Sequence, residues 1–231
     1  MPPKDLQQLL SQVNTYLHNK YIWDASRDDS IPRLFLAHMS LVGWSLLISI
    51  LIAFPIALLI IRFTRIYLPA ISVAGLLYTV PSIVMFSLLV PITGLTETTA
   101  IIPLVLYSQI VLIRNFVAAL RAVDPVLQDV GRGLGMSEIQ LLVRVTLPLA
   151  LPVIIAGLRV ATVSTIALAT IAPLVSYNDL GSLIFKGFQP YYPAQLVVAA
   201  FLITAIALVA DALLLGVQRL LSRGRTVAVA Q

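Results

Sequence analysis

The chain has 231 residues, of which 59% are hydrophobic and only 11% are charged, and its formal net charge is +5. Its mean hydropathy of +0.98 excludes an ordinary soluble domain. The absence of cysteine excludes disulfides, thiolate metal sites and cysteine acylation. Apolar runs of about 20 residues cross a bilayer as helices. The sequence therefore predicts an all-α, polytopic membrane helical bundle.

Residues 1–33 precede the first apolar run and form a separate amino-terminal segment. Apolar side chains recur on one helical face of it, at Leu6, Leu9, Leu10, Val13 and Leu17. This pattern predicts a short amphipathic helix that lies on the membrane or packs on the bundle. The four basic and four acidic residues of the segment balance, so we expect it on the outer side.

Five charge-poor stretches make up a predicted transmembrane domain over residues 34–217. They are Leu34–Ile61, Ile66–Thr96, Thr98–Ile113, Ala156–Ser176 and Tyr191–Val217. The second contains Gly75, Pro81, Pro91 and Gly94, so it is either one kinked span or two shorter ones, and the latter would give six crossings. Ten of the 15 basic residues lie after the first stretch, from the end of the third stretch to Arg159 in the first turn of the fourth, and in the tail 218–231. We expect these places to be cytoplasmic, because positive residues are retained on that side.

Residues able to carry out chemistry are scarce. His18 and His38 have no partner at metal-ligand spacing, and we interpret both as interfacial residues. No P-loop is present, because no lysine lies between Lys20 and Lys186. The sequence thus predicts no catalytic residue, no metal site and no cofactor bound by this chain. Asp179 is expected to form a turn in an outer loop.

Small residues recur every four positions along the fourth stretch, at Gly157, Ala161, Thr165 and Ala169. Such spacing lets helices approach closely in lipid, which predicts a helix contact. A neighbouring face carries Thr162 and Thr170, which could line a polar path.

The segment of about residues 121–152 is a charged, glycine-bearing insert between the third and fourth stretches. A short helix is predicted here, with Leu127, Val130, Gly131 and Leu134 on one face. Gly135 is expected to allow a sharp turn with positive φ, and Pro148 and Pro152 to break the chain and redirect it into the membrane. An exposed apolar face on the cytoplasmic side indicates a docking site for another protein. The alternative is a loop that packs on itself.

These residues resemble the coupling loop of the permease subunits of ABC importers, whose pattern is EAA, three residues, Gly, nine or more residues, then Leu-Pro. The matching positions are Asp129-Val130-Gly131, Gly135 and Leu147-Pro148, with Asp in place of Glu and Gly in place of the second Ala. The resemblance implies that the ATPase-coupling residues are Leu127, Asp129, Val130, Gly131, Gly135, Met136, Leu147 and Pro148.

Within that family the chain looks most like the permeases for glycine betaine, choline and carnitine. The segments that carry this resemblance are Thr79-Val80-Pro81-Ser82, Arg114-Asn115, Val123-Asp124-Pro125, Arg132-Gly133-Leu134-Gly135-Met136 and Thr146-Leu147-Pro148-Leu149-Ala150-Leu151-Pro152. The family's glycine-rich stretch after the fourth helix is replaced here by residues 172–181, which lack three of its glycines. We therefore expect substrate range or gating at the outer mouth to differ.

The resemblance implies an importer in the bacterial or archaeal cell membrane. Its partners would be ABC ATPase subunits that hold ATP and magnesium, a second permease subunit and an extracytoplasmic substrate-binding protein, with membrane lipid around them and no nucleic acid. Polar positions on otherwise apolar helices are the candidate translocation path: Tyr78, Ser82, Ser108, Gln109, Thr162 and Thr170.

Two other functions stay open. One is the same architecture importing methionine or another amino acid. The other is an ATP-independent secondary carrier that uses Asp211, the one acidic residue well inside the last apolar run. We expect Asp211 to lie near the cytoplasmic interface and to pair locally with Arg219, which would disfavour the carrier.

Overall fold

The computed structural model describes residues 6–189 and 193–222. The helices of this part are α1 (Leu6–Leu17), α2 (Ile31–Arg62), α3 (Tyr67–Thr79), α4 (Ser82–Thr93), α5 (Glu97–Arg121), α6 (Pro125–Gly133), α7 (Glu138–Leu141), α8 (Leu147–Ala169), α9 (Gly181–Gly187) and α10 (Pro193–Ser222). No strand occurs in these two ranges, and the predicted all-α fold is confirmed. The predicted start of the last span at Tyr191 and most of the tail, residues 223–231, lie outside the described residues.

Within residues 6–189 and 193–222, four helices are long and apolar enough to cross a membrane: α2, α5, the continuous helix Glu138–Ala169 and α10. A fifth span is obtained when α3 and α4 are counted together, although the two are bent by 93°. The second stretch thus forms one broken span at most, made of two short helices, and a sixth crossing does not occur among the described residues. Pro81 explains the break, because the residue before a proline is driven out of the helical conformation, and Val80 has φ −65° and ψ 128°.

Two predicted boundaries around the central insert are wrong. Helix α5 continues beyond Ile113 to Arg121. A π-helical turn over Leu142–Thr146 joins α7 to α8, so the helix is continuous from Glu138 to Ala169. Pro148 and Pro152 therefore do not break the chain. Pro148 lies in the first turn after the π turn, where the change in hydrogen-bond register accommodates a residue that has no N–H.

The core consists of two apolar clusters, one at each end of the bundle. The outer cluster, in the predicted orientation, contains Leu34, Phe86 and Leu183. The inner cluster contains Ile60 and Phe116. Helices α2, α5 and α8 contribute to both clusters, and they therefore form the centre of the bundle.

The small residues of α8 face this centre. Gly157, Ala161, Thr165 and Ala169 are all buried. A Cβ atom on Gly157 would lie 2.3 Å from the Cβ of Asn115 on α5, so no larger residue fits there without a shift. The stripe thus lies where α8 packs closely on α5.

Helix α1 packs on the bundle, one of its two predicted locations. It contacts α10, and Val13 and Tyr16 lie against the outer cluster. Leu6 and Leu10 are exposed, so an apolar edge of the helix stays uncovered by this chain.

Candidate functional site

The coupling segment is the stretch between α5 and α8, and both of its helices begin with a side-chain cap. The Asp124 carboxylate accepts a hydrogen bond of 2.8 Å from the Val126 amide at the start of α6, and Pro125 occupies the first helical position. Ser137 and Gln140 form a reciprocal capping box at the start of α7. The two short helices are therefore defined by local sequence.

Gly135 lies two residues after the last residue of α6 and has φ +82°, the positive φ that was expected of it. The Met136 amide donates to the Gly131 carbonyl at 3.1 Å, and the Gly135 amide donates to the Arg132 carbonyl at 2.9 Å. This pair of hydrogen bonds is a Schellman motif, which depends on a residue that tolerates positive φ. No atom lies within 4 Å of where a Gly135 Cβ would be, so the requirement for glycine comes from the backbone alone.

The predicted docking face of α6 is divided between surface and interior. Leu127, Val130 and Leu134 are exposed, together with Ile139 on α7. Gly131 is buried instead, and a Cβ atom there would lie 2.7 Å from Leu141 Cδ1. An apolar surface thus projects from the coupling segment, and Gly131 allows α6 to lie close to α7.

The remaining predicted coupling residues have separate locations. Asp129 is exposed and lies 3.1 Å from Arg132, which also pairs with Glu138 at 3.0 Å. Met136 is half-buried in the turn, and Leu147 and Pro148 are half-buried in the first turn of α8. The Arg132–Glu138 pair links α6 to α7, whereas the Asp129–Arg132 pair lies within α6.

Three of the six candidate path residues lie in the bundle interior. Ser108 donates to the Leu104 carbonyl at 2.8 Å and lies 3.1 Å from the Thr165 hydroxyl. The Gln109 amide donates to the Val105 carbonyl at 3.1 Å. Thr162 is buried on α8. Within a single chain these side chains are enclosed among α2, α5 and α8.

The other three candidates lie elsewhere. Tyr78 and Ser82 flank the break between α3 and α4, where the exposed Tyr78 ring packs edge-on against Tyr107. The Tyr107 hydroxyl donates to the Val80 carbonyl at the break. Thr170 caps the end of α8, donating to a carbonyl one turn earlier. The structure therefore does not bring the six residues together into one path.

A buried histidine–aspartate hydrogen bond that the sequence does not reveal joins α2 to the loop before α9. The His38 Nδ1–H donates to Asp179 Oδ2 at 2.8 Å, and both side chains are 0% exposed. Asp179 Oδ1 also accepts from the Gly181 amide at 2.8 Å. The interpretation of His38 as interfacial is wrong, and the turn role of Asp179 is only part of its role. Burial raises the pKa of the Asp179 carboxyl, although the hydrogen bond from His38 offsets part of this rise.

A second ion pair joins α8 to α10. Arg159 forms two hydrogen bonds with the Asp211 carboxylate, at 2.9 and 2.8 Å, and a third with Gln218 at 3.0 Å. The expected local pairing of Asp211 with Arg219 is therefore wrong. Arg159 lies on a different helix, and its guanidinium matches the carboxylate in a two-point contact that a local pair on α10 does not provide.

Comparison with known proteins identifies the family to which this architecture belongs. Residues 71–227 match the family described as "Binding-protein-dependent transport system inner membrane component". The osmoprotectant import permease protein OsmW of Salmonella typhimurium is 34% identical over 189 residues, which cover 80% of this chain and 88% of that protein. The choline transport system permease protein OpuBB of Bacillus subtilis is 30% identical, covering 80% of this chain and 85% of that protein.

Solved structures share the fold. An inward-facing structure of the MetNI methionine ABC transporter matches with a TM-score of 0.74 at 17% identity, covering 83% of this chain and 95% of that one. An amino acid ABC transporter matches with a TM-score of 0.70 at 19% identity, covering 90% and 97%. The resemblance to ABC importer permeases is confirmed. The chain is a multi-pass membrane protein that belongs to the family of binding-protein-dependent transport system inner membrane components.

Proposed function

We propose that the chain is the permease subunit of an ATP-driven importer for osmoprotectants of the glycine betaine, choline and carnitine class. The observation that carries this proposal is the 34% identity to an osmoprotectant permease over 80% of the chain. A carnitine transport permease of Listeria monocytogenes, also 34% identical, supports the same class. The likeness to the methionine transporter is 17% in identity and supports the fold alone.

The exposed apolar side chains of the coupling segment are the proposed contact with an ABC ATPase. Leu127, Val130, Leu134 and Ile139 would be buried in that subunit, which would bind ATP and magnesium. The transmembrane domain would be residues 34–217, with 218–231 as a cytoplasmic tail. A second permease and an extracytoplasmic binding protein would complete the importer in the bacterial or archaeal cell membrane.

The continuous helix Glu138–Ala169 supports a rigid connection from the ATPase to the bundle. A displacement of α6 and α7 would be passed along this helix to the close contact at Gly157. Tyr78 and Ser82, which lie outside the enclosed centre, stay candidates for the path. The secondary carrier finds less support, because Asp211 is held in a two-point ion pair with Arg159.

The experiment that tests this proposal is uptake of labelled glycine betaine by cells lacking their own osmoprotectant importers. The cells express this chain with its ATPase and binding protein, and choline, carnitine and methionine serve as competitors. Saturable uptake that choline or carnitine inhibits supports the proposal. Uptake inhibited by methionine alone would overturn the cargo class and retain the architecture.

The coupling route is tested in the same cells with two matched glycine variants. A β-branched residue at Gly135 is strained because φ is +82°, whereas Gly133 has ordinary φ and equally open surroundings. We expect Gly135→Val to lower uptake strongly and Gly133→Val to lower it little. Equal uptake by the two variants would contradict a coupling role for the turn.

A further inference from the structure

A cavity of about 750 Å³ that is open at the surface of the bundle lies between α8 and α10, and Val160 and Leu208 on its walls are exposed. Its walls are mostly aliphatic, with Val160 and Val163 on one side and Ile203 and Leu208 on the other. Such walls bind alkyl groups and provide no charge of their own. The cavity is therefore suited to the apolar part of a small ligand.

The charged side chains of this cavity are Arg159 and Asp211, at the end nearer to the coupling segment. Their side chains remain 22% and 36% exposed although they form a two-point ion pair. Ionised groups inside membrane helices face a protein interior or a water-filled cavity, because exposure to lipid is costly. The ion pair is thus reachable by a solute that enters the cavity.

A zwitterion is the chemical class that complements this arrangement. The Arg159 guanidinium can hold a carboxylate through two parallel N–H groups, and the Asp211 carboxylate can attract an ammonium. When a zwitterion enters, one ion pair is exchanged for two, so that no charge is left without a partner. A purely cationic ligand would draw Asp211 away without supplying a carboxylate to Arg159, so it forms one ion pair at the cost of another and gains nothing by the exchange.

We propose that the cavity between α8 and α10 is a transit site for small zwitterions, in which Arg159 binds the carboxylate, Asp211 the ammonium and the aliphatic walls the methyl groups. This inference rests on the proposed function in taking the chain to be a permease. It adds a preference within the proposed class, because glycine betaine and carnitine are zwitterions that occupy the site more fully than choline, which is a cation. Binding at the site is weak, since the ligand must replace an ion pair that is already formed.

The test uses a reporter cysteine, which is straightforward because the chain has no native cysteine. Ser164 lines the cavity and is exposed, so Ser164→Cys reports on its occupancy. Ser26→Cys, in the exposed outer segment, is the matched control. The complete importer in membrane vesicles is treated with a small water-soluble maleimide, and the labelling rate is measured with glycine betaine, choline or methionine present.

We expect a saturating zwitterion to slow labelling at Ser164→Cys about tenfold, as simple occupancy at ten times Kd predicts. Choline at the same concentration, and any ligand at Ser26→Cys, should change the rate by less than about twofold. Equal protection by choline and glycine betaine, or no protection by any zwitterion, would overturn the inference. Thr204→Cys on the opposite wall provides a second reporter if Ser164→Cys fails to assemble.

A variant with both charges removed separates ligand binding from helix packing. Arg159→Gln combined with Asp211→Asn keeps polar side chains that can hydrogen-bond between α8 and α10. We expect it to assemble normally and to lose the protection by glycine betaine. Full protection in this variant would show that the pair only packs the helices.

Failure of the proposed cargo is distinguishable from failure of this inference. Methionine is itself a zwitterion, so protection by methionine without uptake of any osmoprotectant would overturn the cargo class and retain the zwitterion site. Uptake of glycine betaine without protection at either reporter would retain the cargo class and overturn the zwitterion site.

Discussion

Two ion pairs join distant parts of this bundle, and they differ in whether water reaches them. His38 and Asp179, at the outer end in the predicted orientation, are both 0% exposed. Arg159 and Asp211 lie on the wall of a cavity and are 22% and 36% exposed. A sealed pair can only hold its helices together, because exchange of partners would leave a buried charge alone. An open pair can exchange partners with a solute.

The surroundings of the outer pair fix it further. Asp179 also accepts the Gly181 amide, and the Tyr177 hydroxyl donates to the Ala37 carbonyl at 3.2 Å. The whole loop before α9 is thus attached to α2. The Arg159–Asp211 pair has one further hydrogen bond among the described residues, from Arg159 to Gln218, which lies about two turns after Asp211 on α10.

The largest expected effect distinguishes the two pairs by stability. Asp179→Ala should lower the free energy of unfolding by about 1–3 kcal/mol, because it leaves the buried Nδ1 of His38 without its hydrogen-bond partner. Asp211→Ala should have a much smaller effect, since water can solvate Arg159. Denaturant unfolding of the purified protein in detergent measures both. Equal losses would contradict the distinction between a sealed and an open pair.

The second prediction concerns pH. Burial raises the pKa of Asp179 above its ordinary value of 3.8, so the folded protein binds this proton more tightly than the unfolded chain. The stability contributed by the group is therefore full below pH 3.8 and is lost as the pH rises through the raised pKa. The difference in melting temperature between the unmodified protein and Asp179→Asn, measured across pH, isolates the contribution of Asp179 protonation to stability. A difference that does not vary with pH would contradict it.

A smaller effect tests whether the loop as a whole is fixed to α2. Tyr177→Phe removes the hydroxyl that donates to the Ala37 carbonyl and keeps the ring. We expect a loss of about 0.5–1.5 kcal/mol in the free energy of unfolding. Tyr21→Phe, in the exposed outer segment, is the matched control and should change little. A loss no greater than that of the control would show that the His38–Asp179 pair alone attaches the loop before α9 to α2.

The smallest expected effect on stability belongs to the inner pair. Arg159→Lys keeps the charge but replaces the two-point contact with a single ammonium. The unfolding midpoint should hardly change, whereas protection of Ser164→Cys by glycine betaine should weaken. Unchanged protection would indicate that the two parallel N–H groups of Arg159 do not bind the carboxylate of the ligand.

Hydropathy predicted the membrane helices because backbone N–H and C=O groups in lipid must form hydrogen bonds within the protein. A helix satisfies these groups within one long apolar run. Prolines were harder to interpret. Pro81 separates two helices, whereas Pro55, Pro103 and Pro152 lie inside helices that continue. The outcome depends on whether neighbouring groups satisfy the freed backbone atoms, and a local sequence does not contain that information.

The short helix α6 and the positive φ of Gly135 were predicted because their signals are local, whereas helix α7 and its continuity with α8 were not. The two ion pairs were not, because their partners are 141 and 52 residues apart. No periodic pattern connects His38 to Asp179. Asp211 could be noticed as an acid in an apolar run, but only the packing of α8 on α10 reveals Arg159 as its partner.

The break between α3 and α4 has a consequence for biosynthesis. The two helices have 13 and 12 residues, and crossing the hydrocarbon layer takes about 20. Neither can settle in lipid alone, and the Val80 carbonyl between them is satisfied by the hydroxyl of Tyr107, a residue made 27 positions later. We therefore expect α3 and α4 to reach their final arrangement in the bilayer only when α5 is present, so that the three helices are inserted as one unit.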